Sequence, residues 1–181
     1  MKKRYYVALL ALLMLGNKLR AQDNHTSAPV IPEADGFITI PGAKFPPNKS
    51  KTYKAIYDAT HAASTPAQLL PALNMAGSEL NALGVSGVPL NKAKFVIVFH
   101  GAALYGILEN DTYRKKYGVP NPNLKVLSEL KAAGVQLFVC GQNMLAENIA
   151  PATISPDVKV ASDALIVLMT FQNEGYALLS F

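Results

Sequence analysis

Cysteine is almost missing from this chain: Cys140 is the only one in 181 residues. A lone thiol cannot close a disulfide within its own chain, and no Cys-x-x-Cys pair exists for zinc or for dithiol redox work. Histidine is nearly as scarce, and His25, His61 and His100 are too scattered to form a ligand set. No metal site and no cofactor is therefore expected. The chain also lacks a Walker-type phosphate loop, a G-x-G-x-x-G turn after a strand and a G-x-S-x-G nucleophile elbow. Nucleotide, dinucleotide and serine-hydrolase readings are left without their motifs. There is no internal repeat and no low-complexity run.

Only one long apolar run is present, and it stands at the start. Met1, Lys2, Lys3 and Arg4 make a basic head, residues 5–16 are apolar, and residues 17–21 are a short polar exit ending on Ala21. That order is the pattern of a secretory signal cut near Ala21, which makes the expected location the periplasm or the exterior. The run is shorter than the roughly 20 residues a spanning helix needs. Pro29, Pro32 and charged residues follow it, so no stable membrane span is expected after processing.

Removing residues 1–21 also changes the charge. The formal net charge is +5, with seventeen basic residues against twelve acidic ones. Lys2, Lys3, Arg4, Lys18 and Arg20 all lie in the signal, which leaves twelve against twelve. A protein that binds nucleic acid keeps a surplus of Lys and Arg to displace counterions from phosphates, so that class is excluded.

Residues 22–51 hold Pro29, Pro32, Pro41, Pro46 and Pro47 with Gly36 and Gly42, a spacing that forbids helix and leaves an extended segment lying along the domain. Residues 52–181 alternate. Tyr53, Ala55, Tyr57 and Ala59 follow the period of a half-covered strand. Ser64 or Thr65 then caps a helix starting at Pro66, with Leu69, Leu73, Ala76, Leu80 and Leu83 inward and Gly84 at its end. Phe95-Val96-Ile97-Val98-Phe99 is apolar on both faces, as buried parallel strands are.

The remaining elements follow in the same rhythm. Residues 111–117 form a short polar helix closed by Gly118, and Asn121-Pro122 opens another with Leu124, Leu127 and Leu130 inward. Strands follow at 135–140, 158–160 and 176–179, with helices at 143–149 and after a Ser162 cap. Alternation with short connections implies a three-layer α/β/α sandwich around a mostly parallel sheet of about five strands.

Ligands of such sheets bind beyond the carboxyl ends of the strands, so the residues that close strands matter most. Here they are His100 and Cys140. His100 is followed by Gly101 and Ala102, small residues that let a ligand approach the backbone. Cys140 is followed by Gly141, Gln142 and Asn143, where a helix starts. A thiol facing the free N–H groups of a helix start is the arrangement that makes a cysteine nucleophilic. Equally, free cysteine is among the most buried residue types, and Cys140 could simply complete an apolar strand. His100 could assist as a base, since histidine takes either protonation state near neutrality.

The stretches Phe95-Val96-Ile97-Val98-Phe99-His100-Gly101, Tyr113-Arg114-Lys115-Lys116-Tyr117-Gly118-Val119-Pro120-Asn121-Pro122-Asn123-Leu124 and Phe138-Val139-Cys140-Gly141-Gln142 resemble the exported branch of the DsrE/DsrF-like sulfur-relay family. So does the end of the chain, residues 163–172 followed by Glu174-Gly175-Tyr176-Ala177. The resemblance runs from about Tyr53 to the C-terminus. It implies an α/β/α fold and a homo-oligomer, a trimer or a hexamer. It also implies a cysteine at the position of Cys140 that takes sulfur from a donor as a persulfide. Relatives often carry glycine where this chain has Asn148, the residue type that next best tolerates a left-handed turn. The expected function is an exported persulfide carrier, more a carrier than a turnover enzyme. The alternative is a non-catalytic oligomeric module that holds a small ligand through Gly101, Ala102, Gly141, Gln142 and Asn143, or only assembles.

Overall fold

A computed structural model describes residues 26–181. The signal expected over residues 1–21, and His25, lie outside the described residues. Among those described, no helix is long and apolar enough to cross a membrane.

Five strands form one sheet: β1 (Tyr53–Ala59), β2 (Ala93–Phe99), β3 (Gln136–Cys140), β4 (Lys159–Ala161) and β5 (Ala177–Ser180). All pair in parallel, in the order β4-β3-β2-β1-β5. Parallel strands need crossovers, supplied by α1 (Pro71–Val85), α2 (Asn110–Tyr117), α3 (Asn123–Ala132), α4 (Gly141–Ala146) and α5 (Ala164–Asn173). α1 and α3 cover one face of the sheet and α5 crosses the other, touching β1, β2, β3 and β5. This is the three-layer sandwich that the alternation of elements implies.

The centre of the sheet is dry on both faces. Phe95, Val96, Ile97, Val98 and Phe99 of β2 are all buried, each contributing roughly 1.5–3 kcal/mol of transfer free energy. The odd positions join the larger core under α1 and α3 with Leu73, Leu80, Leu127 and Leu130. The even positions join a smaller cluster under α5 with Ile56, Val167 and Leu168.

The starts of α1 and α5 differ from the sequence expectation. α1 begins at Pro71 instead of Pro66. Leu70, forced out of the helical region by the proline after it, adopts φ −57° and ψ 136°. Its N–H donates to Asn123 Oδ1 instead. α5 is capped by Asp163, not Ser162: the Asp163 carboxylate accepts from the N–H groups of Leu165 and Ile166.

The proline-rich stretch lies along α1 and is fastened by one buried amide. Asn81 Oδ1 accepts from the N–H groups of Val30 and Ile31 at 3.0 and 2.8 Å, and its Nδ2 donates to the carbonyls of Ile31 and Asp35. Ile31 is fully buried beside it, over a helix surface kept low by Gly77. Removing the amide strands the backbone groups it serves. Asn81→Ala is expected to cost about 2–3 kcal/mol in denaturant unfolding and to speed amide exchange at Val30 and Ile31. Unchanged protection at those two amides would show that Asn81 is not the fastener.

Candidate functional site

The register of the sheet assembles the site. Phe99 pairs with Ala59 on one side and with Val139 on the other, so His100 and Cys140 leave neighbouring strands at the same height. Alternation along each strand sends Asp58, His100 and Cys140 to the same face as Ile56, Val98 and Phe138, the face that carries α5. All three therefore meet at the carboxyl edge.

His100 Nε2–H donates to Asp58 Oδ1 at 2.6 Å, a short bond of the kind charge strengthens. The two side chains are 23% and 18% exposed, partly covered but within reach of water. With Nε2 holding the proton, the neutral ring keeps its lone pair on Nδ1. Asp58 was not foreseen from the sequence. Its only sequence signal is an acid one residue from the end of a strand and out of phase with Ala55, Tyr57 and Ala59, which by itself reads as an exposed strand position.

Cys140 is the last residue of β3 and the N-cap of α4, which starts at Gly141 and not at Asn143 as expected. Cys140 as a residue is 6% exposed, packed in the cluster of Ile56, Val96, Val98 and Ala164. No hydrogen bond joins it to His100 among the described residues. Both nevertheless line one shallow open groove, together with Gly101, Gln142, Asn143 and Ala146. The two other predicted binding residues face elsewhere: Ala102 borders a neighbouring hollow with Tyr105 and Tyr113, and Gly141 borders one with Met144 and Val160.

Two cross-links hold the walls of the groove. After His100 the chain turns through a 3-10 segment, Gly101–Ile107, while the opposite wall is α4. The Gly101 N–H donates to Asn143 Oδ1, and the Tyr105 hydroxyl donates to Glu147. That bond to Glu147, with a contribution from burial, raises the Tyr105 phenol above its ordinary range. Asn143 thus acts through its side chain as a strut between the walls. Asn148, at φ 53°, makes the left-handed turn after α4.

Glycine is required at both strand exits. Gly101 has φ +56° with the Thr60 carbonyl 3.2 Å from where a Cβ would stand. A Cβ on Gly141 would meet the Ala161 carbonyl oxygen at 2.7 Å. Among the described residues, no group of three His, Cys, Asp or Glu side chains is placed to hold a metal ion.

Comparison with known proteins finds the same architecture. The model of the DsrE/DsrF-like family matches residues 52–181. The solved structure of MTH1491, a protein of unknown function from Methanobacterium thermoautotrophicum, superposes with a TM-score of 0.54 at 15% identity, covering 71% of this chain and 99% of that one. The ychN protein from E. coli superposes with a TM-score of 0.52 at 17% identity, covering 72% and 100%. At these identities the two structures speak for the fold alone. Among curated proteins none matches.

Because β4 approaches so closely at Gly141, Gly141→Ala is expected to push β4 off β3 and to cost about 1–3 kcal/mol in chemical denaturation. An unchanged midpoint would mean that the Ala161 carbonyl moves aside freely.

Proposed function

Since the chain belongs to the DsrE/DsrF-like family, whose members commonly relay sulfur, we propose that it is an exported carrier that holds sulfur as a persulfide on Cys140. The observation that carries this reading is the position of Cys140, at the exit of β3 and the start of α4, on a groove shared with His100.

The transfer balances without an outside oxidant. The Cys140 thiol gives its proton to His100, whose ring Asp58 orients, and the thiolate attacks the terminal sulfane sulfur of a polysulfide or organic persulfide. A bond from Sγ to that sulfur forms as the donor's own S–S bond breaks, and the donor leaves as a thiolate that takes up the proton. An acceptor thiolate then attacks the outer sulfur, and Cys140 departs as thiolate, ready for another load. The protein returns to its starting state, which is carriage and not turnover of a substrate.

The carrier is further proposed to work as a homo-oligomer, a trimer or a hexamer, packed through α5. Leu165, Ile166 and Met169 on its outer side are 59%, 53% and 55% exposed. A helix that is apolar all round is normally buried on both sides, and a second copy of the chain supplies the missing cover.

One observation favours a second reading. The thiol is so well covered that the protein could instead hold a small molecule in the groove without covalent chemistry, or only assemble.

Intact-mass measurement after polysulfide treatment separates the readings. Wild type is expected to gain one or more sulfur atoms and Cys140→Ser none, while His100→Gln slows the gain by at least about tenfold. The carrier reading is lost if wild type gains no sulfur and Cys140 resists alkylation in the folded state. For the assembly, light scattering is expected to give a multiple of the chain mass for wild type and a single chain for the double variant Ile166→Asp, Met169→Asp. Equal masses for the two would remove α5 as the contact.

A further inference from the structure

Residues 26–37 form a strap that lies outside the span matched by the family model. Ser27 and Phe37 close it by exchanging two backbone hydrogen bonds, at 3.0 and 2.8 Å. Between them, residues 30–35 lie across α1.

One face of α1 is shaped to receive that segment. Asn74, Gly77, Asn81 and Gly84 follow one another at three- and four-residue steps and so share a face. A Cβ on Gly77 would stand 2.3 Å from the Ala34 Cβ, and one on Gly84 would stand 2.7 Å from Val30 Cγ2, so each glycine is a notch for one strap side chain. Asn81, fully buried between the notches, reads main chain alone: all four of its hydrogen bonds go to N–H and carbonyl groups of the strap. Asn74 reads the acid at the far end. Its Oδ1 accepts from the Asp35 N–H at 2.9 Å, and its Nδ2 donates to the Asp35 carboxylate at 2.8 Å. The main-chain bonds would serve any extended peptide, whereas the notches and Asn74 select side chains.

The strap is attached as a tethered ligand would be. Among the described residues, no hydrogen bond joins residues 38–47 to the rest of the chain, and the one they make is local, from the Ala43 N–H to the Ile40 carbonyl at 3.3 Å. Phe45 in that stretch is 100% exposed. The strap is therefore held by what it touches on α1, together with the pairing of Glu33 with Lys125 on α3.

We propose that the face of α1 carrying Asn74, Gly77, Asn81 and Gly84 is a peptide-docking site and that the strap is its tethered occupant. An extended segment of a partner protein takes the strap's place when it offers two adjacent aliphatic residues, a small residue three positions further on and an acid directly after it. The tether keeps the strap at an effective concentration on the order of millimolar, so the outside segment has to compete. The site is independent of Cys140 and of the carrier reading.

A synthetic peptide with the sequence of residues 26–37, titrated into the full chain and followed by amide NMR, tests it. Ile31→Asp removes the strap's buried anchor, and this variant is expected to bind the peptide with shifts at Gly77, Asn81 and Gly84. Wild type should bind it at least about tenfold more weakly, because its own strap competes. Adding Asn81→Ala to Ile31→Asp should weaken the peptide about tenfold or more, and a peptide carrying the Ile31→Asp change should bind no form of the chain. A second measurement needs no variant: in wild type, excess peptide should speed amide exchange at the chain's own Val30 and Ile31 severalfold. The proposal is overturned if the peptide leaves folded Ile31→Asp unshifted up to about 1 mM, or binds it equally well after Asn81→Ala. If Ile31→Asp does not fold, unchanged exchange at Val30 and Ile31 of wild type under excess peptide overturns it.

Discussion

The parallel ladder of β1, β2 and β3 is the constraint on which the molecule depends. Strands that run the same way cannot be joined by tight turns, so every connection must cross a face of the sheet, and the helices are placed by that need. The same direction gathers all the strand exits on one edge. Because Ala59, Phe99 and Val139 stand in one row, the next residues along β2 and β3 are neighbours in space although forty residues separate them in the chain. Asp58, one step inside the row, is close enough for His100 to reach back to it. The site is thus a product of register, and a shift of one residue in β3 would send Cys140 to the other face.

The two faces of the sheet are not equally furnished, and this asymmetry explains the features that look unfinished. On one side α1, α3 and the strap held by Asn81 build a deep core. On the other, α5 alone spans four strands, and its apolar outer side has nothing described above it. Even the well-covered side has a gap, where α1 leaves the edge strand β5. There Tyr57 has its ring packed against Phe95 and Phe181, with centroids 5.4 and 5.9 Å apart, while its hydroxyl is unpaired. Good packing of the ring and poor pairing of the oxygen are both consequences of one large side chain on an inner strand near the sheet's margin.

The elements legible in the sequence were those that carry their own signal. The run Phe95-Val96-Ile97-Val98-Phe99 buries both faces as a central parallel strand does, and Cys140 followed by Gly141 marks the end of a strand before a helix, although α4 starts two residues earlier than expected. Features that depend on distant partners were not legible. Asn81 reads as an ordinary polar residue in the middle of a helix, and only the folded chain brings Val30 and Ile31 across it. Asp58 reads as the exposed member of a half-covered strand until β2 delivers His100 beside it. Leu70 is the instructive case, because the local rule was present. A residue before proline leaves the helical region, and this outweighed the helix-favouring proline at position 66.

The cover over Cys140 bears on what kind of chemistry the edge can support. A turnover enzyme needs its nucleophile in the open, where substrates bind and leave. A persulfide carrier has a different requirement, since its outer sulfur is lost to any passing thiol and must be shielded between loading and delivery. In this fold the Ile56, Val96 and Val98 side chains shield the inner side of the thiol, while Cys140 also lines the shallow groove with Gly101 and Asn143. The walls of that groove are tied to each other by the Gly101 to Asn143 and Tyr105 to Glu147 bonds. Burial of the thiol and a place on the groove are therefore compatible at this position, where Gly101 and Gly141, by lacking side chains, let the backbone approach closely at both strand exits.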